Sequence, residues 1–199
     1  MTKKIYFVTS NAQKVHSLQR RLKDLAYEIV PVNLEIDEIQ RDSIREIAVA
    51  KAKAAYTQLN APLIVNDSGL VIDALNNFPG PYTKYVVNTI GNSGILKLLE
   101  NQSNRNAYTT QTLVYINEQA QKYVFEDRVY GTIACQEATV KTDNSWGKIW
   151  NIFIPKSARD VRAALSEEEY DECRKHAQEN SVWESLYEVL LKAEDENEI

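Results

Sequence analysis

Glycine is scarce in this chain: 199 residues carry 6 glycines, and none precedes Gly69. A phosphate-binding loop of the GxxxxGK[ST] kind is therefore excluded from the first third of the sequence, and no such motif occurs later. Cysteine is nearly absent. Cys135 and Cys173 form no close pair, which excludes a disulfide framework and leaves reduced thiols as the expectation. Histidine is limited to His16 and His176, so no Cys/His pair has zinc-ligand spacing and no histidine lies near a nucleophile motif. Long apolar runs are missing too: none approaches the ~20 residues of a membrane helix. The start, MTKKIYFVTS, has no long apolar segment of the signal-peptide kind, so the cytoplasm is the expected location. Positive charge is in deficit, with 23 Lys and Arg against 28 Asp and Glu and a net charge of -5. That balance argues against a nucleic-acid or membrane surface. It leaves room for a small anionic ligand, which in an acidic protein calls for a divalent cation.

What is present is an ordinary globular composition, 44% hydrophobic and 26% charged, enough for one sizeable core in one or two lobes. There is no internal repeat, low-complexity linker or firm domain boundary. The chain is organised around Val65 to Val86. An apolar run, Leu63 to Val65, ends in Asn66 and Asp67; Ser68 and Gly69 permit a sharp turn, and a second run, Leu70 to Ile72, ends in Asp73. Asn77 to Pro81 should form a stiff loop poor in donors. A carboxylate held between short strands can serve a site or can simply cap a turn; the residues alone allow both.

From the start, Lys4 to Thr9 reads as a strand buried on both faces, breaking at Thr9-Ser10-Asn11, residues suited to a helix N-cap. A helix is expected to about Leu25, with Val15, Leu18, Leu22 and Leu25 on one face. Its N-terminus, with Lys14 on the first turn, suits phosphate, or ordinary capping with a solvated lysine. Ile29 to Leu34 should be a strand. The loop after it, Glu35 to Gln40, carries Glu35, Asp37 and Glu38, which suit Mg2+ or solvent equally. Ser43 and Glu46 have capping-box spacing, and a helix to about Leu59 follows, with Ile44, Ile47, Ala48, Ala52 and Ala55 on its apolar stripe. Lys51 falls on that stripe, where it either snorkels or points into a site.

Tyr82 to Asn88 and Gly94 to Leu99 look helical, with a break at Gly91 to Gly94 and Leu96, Leu98 and Leu99 in the core. Ala107 to Asn117 and Lys122 to Ile133 read as long strands joined by a turn at Asn117 to Gln121, with a bulge at Gly131. Ile133 to Val140 is expected as a further strand, with Cys135 a small buried hydrophobe. Thr142 to Trp146 reads as a loop, Trp150 to Ile154 as a short strand, and Ser166 to Lys192 as a helix with Glu167, Glu168 and Glu169 on its first turn. Ala193 to Ile199 is an acidic tail expected to fray. Trp146, Trp150 and Trp183 are more naturally core than ligand contacts. This order predicts a mixed α/β protein, a long sheet with helices on its faces.

Four pieces in order, TSNAQK (Thr9 to Lys14), the helix around Lys51, NDSGLVIDAL (Asn66 to Leu75) and PGPYTKY (Pro79 to Tyr85), resemble the inosine triphosphate pyrophosphatase family. The resemblance covers most of the chain and is strongest from Lys4 to Tyr85. It implies one two-lobed domain over residues 1–199 with a central cleft, a homodimer, and Mg2+-dependent hydrolysis of non-standard purine nucleoside triphosphates to the monophosphate and pyrophosphate. Carried over by position, Thr9, Ser10, Asn11 and Lys14 would hold phosphates, and Lys51 would reach in from its helix. Glu38 and Asp67 would hold the metal, and Asp67 would also orient or deprotonate the attacking water. Ser68 would contact the phosphate end, Lys84 would lie near the ligand, and Trp150 would line the base pocket. The departures are Ser17, beside His16, in place of a glutamate, and Asn66 in place of an acidic residue. Ile149 stands where an aspartate is usual, and Arg174, Lys175 and His176 stand for the family's Ser-His-Arg base reader. Ser17 and Asn66 remove negative charge near the metal, so that metal binding would rely more on Glu38 and Asp67, and the lost Ser-His-Arg points to an altered or abolished preference for inosine and xanthosine triphosphates. The alternatives are a silent nucleotide- or partner-binding relative and a pyrophosphatase for a different modified nucleotide.

Overall fold

The computed structural model describes residues 2–140, 147–176 and 181–195. The elements run β1 (Lys3–Val8), α1 (Ala12–Arg21), β2 (Tyr27–Val32), α2 (Ile44–Leu59), β3 (Leu63–Ile72), β4 (Pro79–Gly80), α3 (Thr83–Thr89) and α4 (Gly91–Leu98). They continue with β5 (Asn106–Ile116), β6 (Lys122–Ile133), β7 (Phe153–Pro155), α5 (Glu167–His176) and α6 (Val182–Asp195). The sheet is mixed, in the order β2-β1-β3-β5-β6-β7, with β4 beside β3. β1 is parallel to β2 and β3, whereas β3/β4 and β6/β7 are antiparallel. Pro31 lies in the edge strand β2, where a missing N–H is tolerated.

The chain divides into two compact units, one of Met1–Asp67, Gln111–Asp127 and Ser181–Ile199, the other of Ser68–Thr110 and Arg128–Asn180. In the first unit the sheet is buried on both faces. Alternate residues Ile5, Phe7, Ile64, Leu113 and Tyr115 pack with Val15, Leu18 and Leu22 of the α1 region and with Val182, Trp183, Leu186 and Leu190 of α6. The other set, Val8, Leu63, Val65, Val114 and Ile116, meets Ala48, Ala52 and Ala55 of α2. Period-two alternation with both phases apolar explains the unbroken apolar runs seen in the sequence. The second unit packs Leu70, Ile72, Val129, Ile133 and Phe153 against Val86 and Val87 of α3 and Ile95 of α4.

Several expectations are corrected. β3 is one ten-residue strand through Asn66-Asp67-Ser68-Gly69, with no turn at Gly69. Its first half is held by β1 at Leu63 and Ile64, its second by β4 at Leu70 and Val71, so both ends are pinned in sheet register. The left-handed glycines among the described residues are Gly80 and Gly91. α1 stops at Arg21, although Leu22 and Leu25 stay buried. The break between α3 and α4 falls at Ile90 and the left-handed Gly91, not across 91–94, and Leu98 is exposed at 48%. β6 ends at Ile133, and residues 134–140 form no strand. The Arg105 guanidinium takes the carbonyls of Ile133 and Ala134 at 2.7 and 2.6 Å, so the ladder stops there and Cys135 is exposed. Residues Gly147–Asn151 form a 3-10 turn, which leaves only Phe153–Pro155 as strand. The expected final helix is two: Ser166 opens α5 and Ser181 opens α6, and each exchanges bonds with a glutamate three residues on or with nearby amides. Residues 142–146, including Trp146, and residues 196–199 of the tail lie outside the described residues.

Gly131 marks a close approach between strands. A Cβ there would strike the Ile154 carbonyl oxygen and the Phe153 ring. Gly131→Ala is expected to cost about 1–3 kcal/mol of stability, because backbone cannot yield as a side chain can. Chemical denaturation checks this; an unchanged midpoint would mean that β6 and β7 separate freely.

Candidate active site

In the first unit, the register between β1 and β3 stops at Phe7 opposite Ile64, and β1 ends at Val8. β3 runs on, so Asn66 and Asp67 project past the carboxyl end of a parallel strand, the place where open α/β sheets offer ligand sites. The chain leaving β1 turns through Thr9-Ser10-Asn11. Thr9 Oγ1 accepts from the Asn11 N–H at 3.1 Å. Asn11 Oδ1 accepts from the N–H groups of Gln13 and Lys14, at 3.0 and 3.3 Å, and caps α1. Ser10 is exposed beside them. Lys14, one turn in, donates its Nζ to the Asn66 carbonyl at 3.0 Å. The polar junction read from the sequence thus meets the NDSG stretch through a lysine.

α2 brings the second cation. Its buried contacts with the sheet are alanines, whose small side chains allow close approach. Lys51 emerges from this stripe with its side chain 20% exposed. Its Nζ lies 2.6 Å from Glu38 Oε1 and 3.4 Å from Asp67 Oδ1. Burial works to lower the Lys51 pKa, but the Asp67 charge and the Glu38 hydrogen bond together outweigh it and hold it above the usual lysine value. The Lys51 ammonium thus does not run out to solvent alone: it is shared by two carboxylates. Glu38 belongs to a stretch, 33–43, without regular structure. The buried Asp67 Oδ2 has no hydrogen-bond partner among the described residues.

A polar relay that sequence reasoning missed stands behind Asn66. Asn66 is 6% exposed, and its Nδ2 donates to Gln111 Oε1 at 3.3 Å and the Thr112 carbonyl at 3.4 Å. Gln111 Nε2 donates to Asp127 Oδ2 at 3.0 Å, and the same oxygen accepts the Val182 N–H at the start of α6, also at 3.0 Å. A carboxylate at a helix N-terminus is favoured by the helix dipole. The available signals were Asp127 inside an otherwise strand-forming run and the Ser181-x-x-Glu184 spacing.

The remaining expected site residues belong to the second unit. Ser68 is half-buried in β3, and Lys84 is exposed on the first turn of α3. The loop before α3 is tied to β3 by Thr83, whose Oγ1 accepts the Leu70 N–H at 2.8 Å and donates to the Gly80 carbonyl at 2.6 Å. Trp150 packs at the edge of the core, its ring 6.2 Å from Phe153. Arg174, Lys175 and His176 share no common face. Arg174 is buried, whereas Lys175 and His176 are exposed and meet Glu172 on their own helix.

Removing the Lys51 charge leaves a half-buried Asp67 unpaired. Lys51→Met is therefore expected to destabilise the metal-free protein by about 1–3 kcal/mol, below the cost for a fully buried pair because Glu38 is half exposed. Since the folded pKa is raised, the stabilisation is complete below the ordinary lysine value of 10.5 and is lost as pH climbs through the raised one. Denaturation from pH 8 to 12 should show a steeper alkaline loss in wild type than in Lys51→Met; parallel curves would remove Lys51 from this role.

The family model described as Ham1 family matches residues 5–179. A dITP/XTP pyrophosphatase of Methanopyrus kandleri is 39% identical over 166 residues, 83% of this chain and 86% of that one. One of Thermococcus kodakarensis is 34% identical over 166 residues, 83% and 87%. Among solved structures, a HAM1 protein from Coxiella burnetii has a TM-score of 0.79 at 24% identity, covering 96% of this chain and 99% of that chain. The Staphylococcus aureus Ham1 protein has a TM-score of 0.76 at 23% identity, covering 96% and 100%. These structures share the mixed α/β fold expected from the sequence. On the family match and the identities to curated relatives, the chain belongs to the Ham1 family.

Proposed function

We propose that this chain is a metal-dependent nucleoside triphosphate pyrophosphatase, which cleaves a non-standard purine nucleoside triphosphate to the monophosphate and pyrophosphate. The observation that carries the reading is the Lys51 ammonium shared by Glu38 and Asp67. With Lys14 on the Asn66 carbonyl, two cations converge on the carboxylate-bearing end of the first half of β3. The substrates in the names of the relatives, dITP and XTP, support a non-standard purine.

A hard divalent ion such as Mg2+ takes carboxylate and water oxygens. The donor set fits: Asp67 keeps a buried oxygen without a hydrogen-bond partner among the described residues, and Glu38 presents a half-exposed carboxylate. Glu38 and Asp67 would hold the ion, whose chemistry is to neutralise charge on phosphate oxygens. Lys14 and Lys51 do the same from the protein side, where fixed charges act at no reorganisation cost. Thr9, Ser10 and Asn11 hold phosphate at the α1 N-terminus, a position that favours anions. Asp67 orients the attacking water and accepts its proton. The roles of Ser68 and Lys84 toward phosphate, and of Trp150, Arg174, Lys175 and His176 toward the base, rest on the motifs alone. Homodimer assembly and a cytoplasmic location complete the reading. The exposed Tyr82, Tyr85 and Ile90 support the first, and the free thiols of Cys135 and Cys173 support the second. Among the described residues, no helix is long and apolar enough to cross a membrane.

Pyrophosphate release from ordinary and deaminated nucleoside triphosphates, with and without Mg2+, tests the proposal. Asp67→Asn should lower kcat by about 10²–10⁴-fold in folded protein. Lys14→Ala should act mainly on KM, raising it by about tenfold, as expected for a lost charge-assisted phosphate contact. Absence of release from every triphosphate by folded wild type would sink the reading.

A further inference from the structure

The carboxylates suited to the metal already have a cation. Lys51 Nζ sits on Glu38 Oε1 and Asp67 Oδ1 together, at 2.6 and 3.4 Å. Other basic side chains of this region point to different partners: Arg41 pairs with Glu46 at 3.6 Å, and Arg45 with Glu126 at 3.2 Å. An ammonium and a divalent ion compete for the same oxygen lone pairs. Adding the ion while Lys51 stays would set three positive charges against two negative ones in a half-buried site, where like charges repel with little screening. The lysine has a way out. Its four-carbon stem is flexible, and a triphosphate is a better counter-anion than two carboxylates already shared with a metal.

We propose that Lys51 is the resident counter-cation of Glu38 and Asp67, which keeps a free divalent ion out until a triphosphate draws the lysine away. Metal and nucleotide then bind with positive coupling, and the empty protein is charge-balanced without metal. Glu38 suits such an exchange, because it lies in the irregular stretch 33–43 and can be re-aimed when Lys51 leaves. The proposal rests on the metal reading of Glu38 and Asp67 given above.

The test titrates Mn2+ alone into full-length protein and follows the free-ion signal by electron paramagnetic resonance. Folding is checked by circular dichroism. Lys51→Met is expected to bind Mn2+ at least about tenfold more tightly than wild type, the scale of one removed like charge. Lys51→Arg should stay near wild type, and adding Glu38→Gln to Lys51→Met should erase the gain. Equal or weaker binding by folded Lys51→Met, or the same gain in Lys51→Arg, overturns the proposal. Wild type supplies a reading that needs no variant. With a non-hydrolysable α,β-methylene nucleoside triphosphate, the protein should take up Mn2+ more tightly than the protein or the analogue does alone; simple additivity counts against the coupling. Wild-type pyrophosphate release is scored separately. Turnover without the Mn2+ gain overturns the competition and spares the enzyme reading, and the gain without turnover does the reverse.

Discussion

A charge removed from water must be paired, and in this protein one ammonium is paired twice. Lys51 leaves an alanine-lined helix face and ends between Glu38 and Asp67. Replace the alanines by larger residues and α2 stands farther from the sheet, out of reach of Asp67. Remove either carboxylate and the lysine has less reason to stay inside. Helix packing, the course of the stretch 33–43 and the electrostatics of the candidate site therefore depend on the same contact.

The second constraint is the continuity of β3. A strand that is apolar at both ends and polar in its middle carries Asn66, Asp67 and Ser68 without a turn. Because β1 ends first, Asn66 and Asp67 emerge past the carboxyl end of a parallel neighbour, near the capped start of α1. Asn66 is then held on two sides: its backbone carbonyl accepts from Lys14 and its Nδ2 donates to Gln111 and Thr112, while its buried Oδ1 has no hydrogen-bond partner among the described residues. Asp127 gives that amide chain its direction. An ionised carboxylate only accepts, so Gln111 must turn its Nε2 toward Asp127 and its Oε1 toward Asn66. A polar group buried at the site is thereby oriented by a carboxylate on another strand.

Much of this was legible in order along the chain. The Asn11 cap, the Ser43 cap, the Asn117 to Gln121 turn and the position of Lys51 on a buried stripe follow from local rules of capping, turn chemistry and helical period. The errors also have local causes. Gly69 reads as a turn residue because glycine permits one, yet permission is not a requirement when both flanks are held in register. The stretch 134–140 has strand composition, but Arg105 occupies the carbonyls where pairing would continue. Leu98 is apolar yet faces water, while Ile95 of the same helix is buried.

By itself the sequence determined most of the element types, the two apolar phases of the first strand and the short list of cations and carboxylates, since period, capping and side-chain chemistry act over a few residues. It determined the family as well, through four motifs in order. Tertiary structure alone decided that Lys51 meets Glu38 and Asp67 at once, that Lys14 reaches Asn66, and that Gln111, Asp127 and the start of α6 join one relay. The partners in these contacts are 13 and 16, 52, and 45, 16 and 55 positions apart. No local rule spans such separations; only strand register and the packing of helices on the sheet bring those groups within hydrogen-bond reach.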